Sequence, residues 1–329
     1  MIKVNPYSNW PFPLYSYFLR TYSSFFTSGK CLSFPRAIQI QTQSRCNGRC
    51  SICPYPTTSK ILEHGVMGWD LFSKIADEVT SEAQSPMLMF ALHSEPLLDK
   101  RIFDWVKHIK SINPKCYCII PTNGELLDRF SLTEIIQSGL NQLNVSLNAN
   151  SKETYEQINT GLDYDRVMKN IYHLLSDQSV KQKLQMMFVL NEENAHEVQQ
   201  AVDYWKQQGV RTKVVGITNR AGSLDTYERL RLKDAHYTGP LLLRVWKNLM
   251  SNIRGAIGCE LPFYQMNVLF NGDVIVCSYD WKRATVIGNV KTSSLREIWN
   301  SERMNEIRRL ILRKRYEKIS TCRECSVVR

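Results

Sequence analysis

From residue 37 onward the apolar positions switch repeatedly between two periods. Short apolar-rich runs at Ala37–Thr42, Met87–Leu92, Cys116–Ile120, Gln142–Ala149, Leu184–Leu190 and Thr212–Ile217 have the length of buried strands. Between them, apolar residues recur every three or four positions. Leu71, Phe72, Ile75, Ala76 and Val79 mark a helix over 69–81, and further helices are predicted over 102–112, 164–175 and 195–207, the last stopped by Gly209. Ser131 with Glu134 forms a capping-box signature for a helix reaching about Gln137, and Ser151 caps another, with Glu153 or Glu156 as the reciprocal carboxylate. Six strands alternating with helices predict an α/β fold, a partial (β/α)6 TIM-like barrel whose functional residues gather on the loops that follow the strands.

The flanks follow other patterns. Residues 1–36 are rich in aromatics, and Pro6, Pro11 and Pro13 interrupt their first half; Leu14–Phe26 can form a short helix with an aromatic face. Packing of that face on the barrel is expected, ahead of use as a lid or a membrane-surface contact. The alternation stops at Asn219–Gly222. Residues 222–255 read as a bridge with a helix near Leu241–Met250. In 256–329, Met266–Phe270 and Val274–Val276 are two strands joined at Asn271-Gly272, a strong hairpin signal. The expected units are therefore 1–36, 37–221, 222–255 and 256–329.

Composition narrows the class. Hydrophobic residues make up 43% and charged residues 22%, as in globular proteins. No apolar run approaches the length of a membrane span, and the N-terminus carries no secretory signature. Ten cysteines then point to metal ligation in a cytoplasmic protein rather than to disulfides. The net charge of +11 calls for an anionic partner. Much of it lies late, in Lys282, Arg283, Lys291, Arg296, Arg303, Arg308, Arg309, Arg313, Lys314, Arg315 and Lys318. Part of that run is a solvated helix face; the functional alternative is a patch for a nucleotide-like substrate or an acidic peptide. No RNA-binding signature is present, so nucleic acid is not expected.

The cysteines change the picture most. Cys46, Cys50 and Cys53 stand in C-x3-C-x2-C spacing on the loop after the first strand, so three thiols can converge on one metal centre and leave one position open. A zinc knuckle with a remote fourth ligand is the alternative. The spacing resembles that of the radical S-adenosylmethionine (SAM) superfamily, and the resemblance implies a 4Fe-4S cluster whose fourth iron holds SAM. Ser94-Glu95-Pro96 resembles the Gly-Glu-Pro motif that in relatives lies beside the SAM amino group, with Ser in place of Gly. Thr122-Asn123-Gly124 resembles the motif at the third strand's end, and Ser146 with Asn148 the polar pair that reaches the SAM ribose and carboxylate. Ile52 occupies the position placed against adenine in relatives.

Cys259, Cys277, Cys322 and Cys325 form a second set, which a zinc ribbon would also use. With Gly272 separated by four residues from Cys277, and Ile287-Gly288-Asn289 and Leu295–Trp299 beyond, it resembles the SPASM/twitch domain, implying one auxiliary 4Fe-4S cluster saturated by four cysteines. Of the other thiols, Cys116 and Cys118 fall on one face of the third strand, as core residues or hydrogen donors. The resemblance implies an enzyme that cleaves SAM to a 5′-deoxyadenosyl radical and takes hydrogen from an unactivated carbon. Its electrons would come from an external flavodoxin- or ferredoxin-type donor. The expected reaction is oxidative, dehydrogenase-like tailoring of a small polar natural-product precursor. The alternatives are peptide modification with a separate leader-binding partner protein, and a non-catalytic iron-sulfur or zinc module.

Overall fold

The computed structural model describes residues 32–82, 85–232 and 259–328. The expected helices over Leu14–Phe26 and Leu241–Met250 lie outside these residues.

Six parallel strands form where the apolar runs place them: β1 (Ala37–Ile40), β2 (Met87–Met89), β3 (Tyr117–Thr122), β4 (Gln142–Ser146), β5 (Leu184–Leu190) and β6 (Arg211–Gly216). They pair in sequence order, as right-handed crossovers through intervening helices require. The sheet stays open, consistent with a partial barrel. On its other side β7 (Gln265–Val268) pairs parallel with β1, Ala37 opposite Gln265 and Ile40 opposite Val268. Antiparallel β8 (Asp273–Ile275) and β9 (Val286–Asn289) complete a nine-stranded sheet ordered β6-β5-β4-β3-β2-β1-β7-β8-β9. The expected C-terminal hairpin thus continues the barrel sheet. Gly272 turns it at φ +92°, and a Cβ there would lie 2.8 Å from the side-chain Oδ1 of Asn289, so this position needs glycine.

Helix Trp69–Ser81 buries Phe72, Ile75, Ala76 and Val79, and helix Ile102–Ile112 buries Phe103, Trp105, Val106 and Ile109. Each large side chain so buried contributes roughly 1.5–3 kcal/mol by transfer from water. The Trp105 ring stacks 4.8 Å from Trp69 and its N–H donates to Asp99 Oδ2 at 2.9 Å, so the buried indole leaves no orphan donor. The Ser131–Glu134 capping box is present. Ser151 caps its helix, but the carboxylate that meets its N–H is Glu197 from across the fold, not Glu153 or Glu156. Among the described residues no helix is long and apolar enough to cross a membrane.

Several strands are shorter than their apolar runs. β2 stops at Met89 and β4 at Ser146, because the following residues leave the ladder to build loops, with His93 at φ +56° and Asn148 at φ +63°. Both turns lie at the C-terminal edge of the sheet, where the cysteine loop also emerges.

Candidate active site

After β1 the chain runs through two buried glutamines into the cysteine loop. Gln41 Nε2 donates to the Leu92 carbonyl at 2.6 Å, and Gln43 Nε2 donates to the carbonyls of Arg45 (2.8 Å) and Glu95. Glu95 N–H returns a bond to the Arg45 carbonyl at 2.9 Å. The loops after β1 and β2 are therefore stitched side by side before any thiol is reached. Beyond them, Arg49 N–H donates to Thr160 O (2.7 Å), Ser51 N–H to Ile158 O (2.8 Å), and Cys46 N–H to Tyr55 Oη (2.9 Å).

Cys46, Cys50 and Cys53 are free and half-buried on this loop. Burial pushes the Cys46 thiol up to about 12, with the Glu95 charge adding to it; Cys50 is driven upward by burial and by its two partners, and Cys53 by burial. Three thiols whose ionised forms repel one another need a cationic core, and iron supplies one. Three thiols from one short loop that feel one another's charge match the donor set of an iron-sulfur cubane with one open iron.

The neighbouring strand ends supply polar groups. The buried Glu95 carboxylate accepts from Leu97 N–H (3.0 Å), Thr122 Oγ1 (2.7 Å) and Asn123 N–H (2.8 Å), locking the β2 and β3 loops together. Burial holds its pKa up at about 7 in spite of these donors. Asn123 Nδ2 donates to Asn47 Oδ1 (2.8 Å), and Asn47 Nδ2 to Glu125 Oε2 (2.6 Å), which ties β3 to the cysteine loop. Ser94 and Ser146 are half-buried nearby. Ile52 is buried with Ile158 and Leu230, and Thr226 Oγ1 donates to Ser51 O at 2.7 Å, so the chain after β6 folds back over the loop.

One expected site residue has partners of its own. Asn148 gives its Nδ2 to Asn159 Oδ1 (2.9 Å) and takes Val189 N–H on its Oδ1 (3.0 Å), bonds that brace the β4 and β5 ends and leave one amide N–H and one lone pair uncommitted. Cys116 and Cys118 are fully buried in the hydrophobic core. Cys118 lies four residues, roughly 13 Å of strand, before Thr122 at the site edge. Enclosed and displaced from the loop face, these two thiols are core residues and not hydrogen donors.

The second set does converge. Cys259, Cys277, Cys322 and Cys325 line one small pocket with Ala221 and Tyr279, the remaining lining being apolar apart from Thr321. Burial and mutual repulsion raise the Cys277 and Cys322 thiols, while the Tyr279 N–H points at Cys277 Sγ at 3.3 Å. Four thiols facing a dry pocket suit a fully protein-ligated cluster. Asn219, after β6, is tied to the second set: its Nδ2 donates to Glu324 O at 2.5 Å and its Oδ1 accepts from Ser326 N–H at 2.9 Å. Sequence reasoning missed this tie, together with Asn47, Glu125, Asn159 and Glu197, because a single Asn or Glu outside a motif carries no signal of its partner.

Comparison with known proteins agrees with this geometry. The radical SAM superfamily profile matches residues 40–204, and that of an iron-sulfur cluster-binding domain, SPASM, matches 259–326. A tungsten-containing aldehyde ferredoxin oxidoreductase cofactor-modifying protein of Pyrococcus furiosus is 23% identical over 88% of this chain and 87% of its own length. A SAM-dependent 2-deoxy-scyllo-inosamine dehydrogenase of Niallia circulans is 22% identical over 88% and 92%. Among solved structures, BtrN in complex with AdoMet and 2-DOIA superposes with a TM-score of 0.60 at 19% identity, covering 90% of this chain and 94% of that one. Streptococcus suis SuiB bound to its precursor peptide SuiA gives 0.63 at 15%, covering 90% and 71%. The chain belongs to the radical SAM superfamily and is an enzyme that works with S-adenosylmethionine and two 4Fe-4S clusters.

Proposed function

We propose that this enzyme oxidises a small polar natural-product precursor by two electrons. Cys46, Cys50 and Cys53 hold the cluster that binds SAM, and Cys259, Cys277, Cys322 and Cys325 hold the auxiliary cluster. Bound SAM supplies the 5′-deoxyadenosyl radical that removes a hydrogen atom from an unactivated carbon. The chain's own groups position and enclose. Ser94, Ser146 and Asn123 offer polar contacts to SAM, the Glu95 carboxylate orients the loops that carry them, and Ile52 forms an apolar wall for its adenine.

One observation carries the oxidative reading: all four C-terminal thiols face one pocket. A cluster with four protein ligands leaves no iron for substrate and serves as an electron acceptor. With both groups bound, the substrate would lose a hydrogen atom to the radical and a proton to solvent, and the cluster held by Cys259, Cys277, Cys322 and Cys325 would take the remaining electron. The 22% identity to a SAM-dependent dehydrogenase over nearly the whole chain supports the same outcome. An external one-electron donor of flavodoxin or ferredoxin type reduces the first cluster.

Turnover in heavy water with candidate precursors tests this. The expected product is two hydrogens lighter than the substrate. A product of unchanged composition that gains one deuterium would replace the dehydrogenase reading with epimerisation, as a peptide-modifying enzyme with a leader-binding partner would perform.

A further inference from the structure

Between the two thiol sets, the loop after β2 meets the loop after Cys277. His93 Nε2 lies 2.8 Å from the Ser278 carbonyl oxygen. A carbonyl can only accept, so Nε2 carries the hydrogen and Nδ1 is left as a bare acceptor. Nδ1 is buried and has no hydrogen-bond partner among the described residues. The imidazole lies against Trp281 with ring centroids 4.1 Å apart and planes 25° from parallel, so its position is set on one face by an indole.

Two guanidinium groups share this space. Arg220 lies 5.3 Å from the centroid of the Tyr279 ring, and Arg283 lies 5.7 Å from that of Phe270. The Nε of each is buried without a partner among the described residues. Glu63 and Asp273 approach Arg283 closely enough to be felt electrostatically. Neither arginine forms an ion pair among the described residues. Burial first, and then these two positive charges, keep His93 neutral, with a pKa lowered to about 3. The Arg220 charge also acts on Cys53 and on Tyr279 beside Cys277, which places it between the two sets.

The backbone is strained at the same place. His93, Arg220, Ala221 and Arg283 all adopt left-handed φ angles, between 49° and 56°, although none is glycine. Such conformations are costly and persist where the surrounding structure holds side chains for a task. Two half-buried guanidiniums, each with a buried Nε that has no partner among the described residues, one bare imidazole acceptor and strained backbone around them are groups that a ligand would satisfy.

We propose that His93, Arg220 and Arg283 form the substrate-recognition subsite, and that it takes a small molecule bearing an oxyanion, carboxylate or phosphate, next to a hydroxyl or amine. The planar guanidinium forks match the oxyanion, and His93 Nδ1 accepts from the neighbouring O–H or N–H. Trp281 supplies the apolar wall. This specifies the substrate class of the proposed oxidation and rests on that reading. It also gives part of the chain's positive charge an anionic partner.

Anaerobically reconstituted protein saturated with SAM provides the test, by calorimetric titration with gluconate, glucose 6-phosphate and glucose. One anion should bind while neutral glucose does not, and which of the two binds separates carboxylate from phosphate. Arg283→Met and His93→Asn should each weaken that anion tenfold or more with iron content and circular dichroism unchanged. Both anions binding no better than glucose would overturn the proposal, as would undiminished anion affinity in the variants or loss of SAM binding in its place. The wild-type titration decides the matter even where a variant misfolds. Product mass after turnover of the same wild-type preparation in heavy water tests the oxidative reading, so the two can fail separately.

Discussion

Replacing Glu95 by alanine separates two roles for a carboxylate at the second strand's end: ligand to SAM, or clamp between loops. The structure gives three donors to this carboxylate, Leu97 N–H at 3.0 Å, Thr122 Oγ1 at 2.7 Å and Asn123 N–H at 2.8 Å. All sit at a position that is 3% exposed, so water cannot replace the lost acceptor without opening the loop. Hydrogen bonds to buried groups are worth about 1–1.5 kcal/mol each on removal, more where a donor is stranded, which puts Glu95→Ala at roughly 3–5 kcal/mol of lost stability. For a chain of this size the midpoint of thermal unfolding should fall by about 4–7 °C. Thermal and urea unfolding of the apo-protein read this directly, and equilibrium dialysis of the reconstituted protein reads SAM affinity. A stability change below about 1 kcal/mol together with a tenfold or greater loss of SAM affinity would refute the clamp and make the carboxylate a direct SAM ligand.

Alanine at Cys46, Cys50 or Cys53 should abolish deoxyadenosine formation and reduce reconstituted iron from about eight to about four per chain; undiminished SAM cleavage in any of the three would remove that thiol from the ligand set. Replacing Cys322 and Cys325 together should leave deoxyadenosine measurable while oxidised product falls away, provided circular dichroism stays native, since a bound metal group is itself folding energy. Because burial raises the Glu95 carboxyl from 4.5 to about 7, its protonated form favours the fold: that contribution is complete below about pH 4.5 and is lost as pH rises through 7. The apo-protein should lose on the order of 3 kcal/mol over this window, and Glu95→Gln should flatten the slope in urea melts. Asn148→Ala should cost about 1–3 kcal/mol in unfolding by stranding Val189 N–H and Asn159; wild-type stability with weakened SAM binding would restore it as a cofactor contact.

The strands and the thiols were legible because each signal is local. A six-residue apolar run needs no knowledge of its neighbours to read as a buried strand, and helices Trp69–Ser81 and Ile102–Ile112 fall on the predicted residues because their apolar faces repeat within a few turns. What failed was pairwise. Ser151 reads as the start of a capping box, yet its carboxylate arrives from Glu197, 46 positions away. Asn148 sits in the right motif with its amide turned to Val189 and Asn159, because the left-handed turn that ends β4 aims it there. Period-two alternation put Cys116 and Cys118 on one face without saying which end of the strand faced the chemistry.

The same reasoning explains why the charge of the chain was readable and its purpose was not. Arg283 is one of eleven late cations, and in sequence it looks like Arg303 or Arg309, both of which form surface contacts. What distinguishes it is a sheet that brings β7 against β1 and so sets the loop after Cys277 over the loop after β2, 185 positions earlier. That pairing places His93 on Trp281 and leaves Arg220 and Arg283 facing a space that holds no carboxylate in contact with either. Strand order therefore brings two of these cations up to His93 while others stay on the surface.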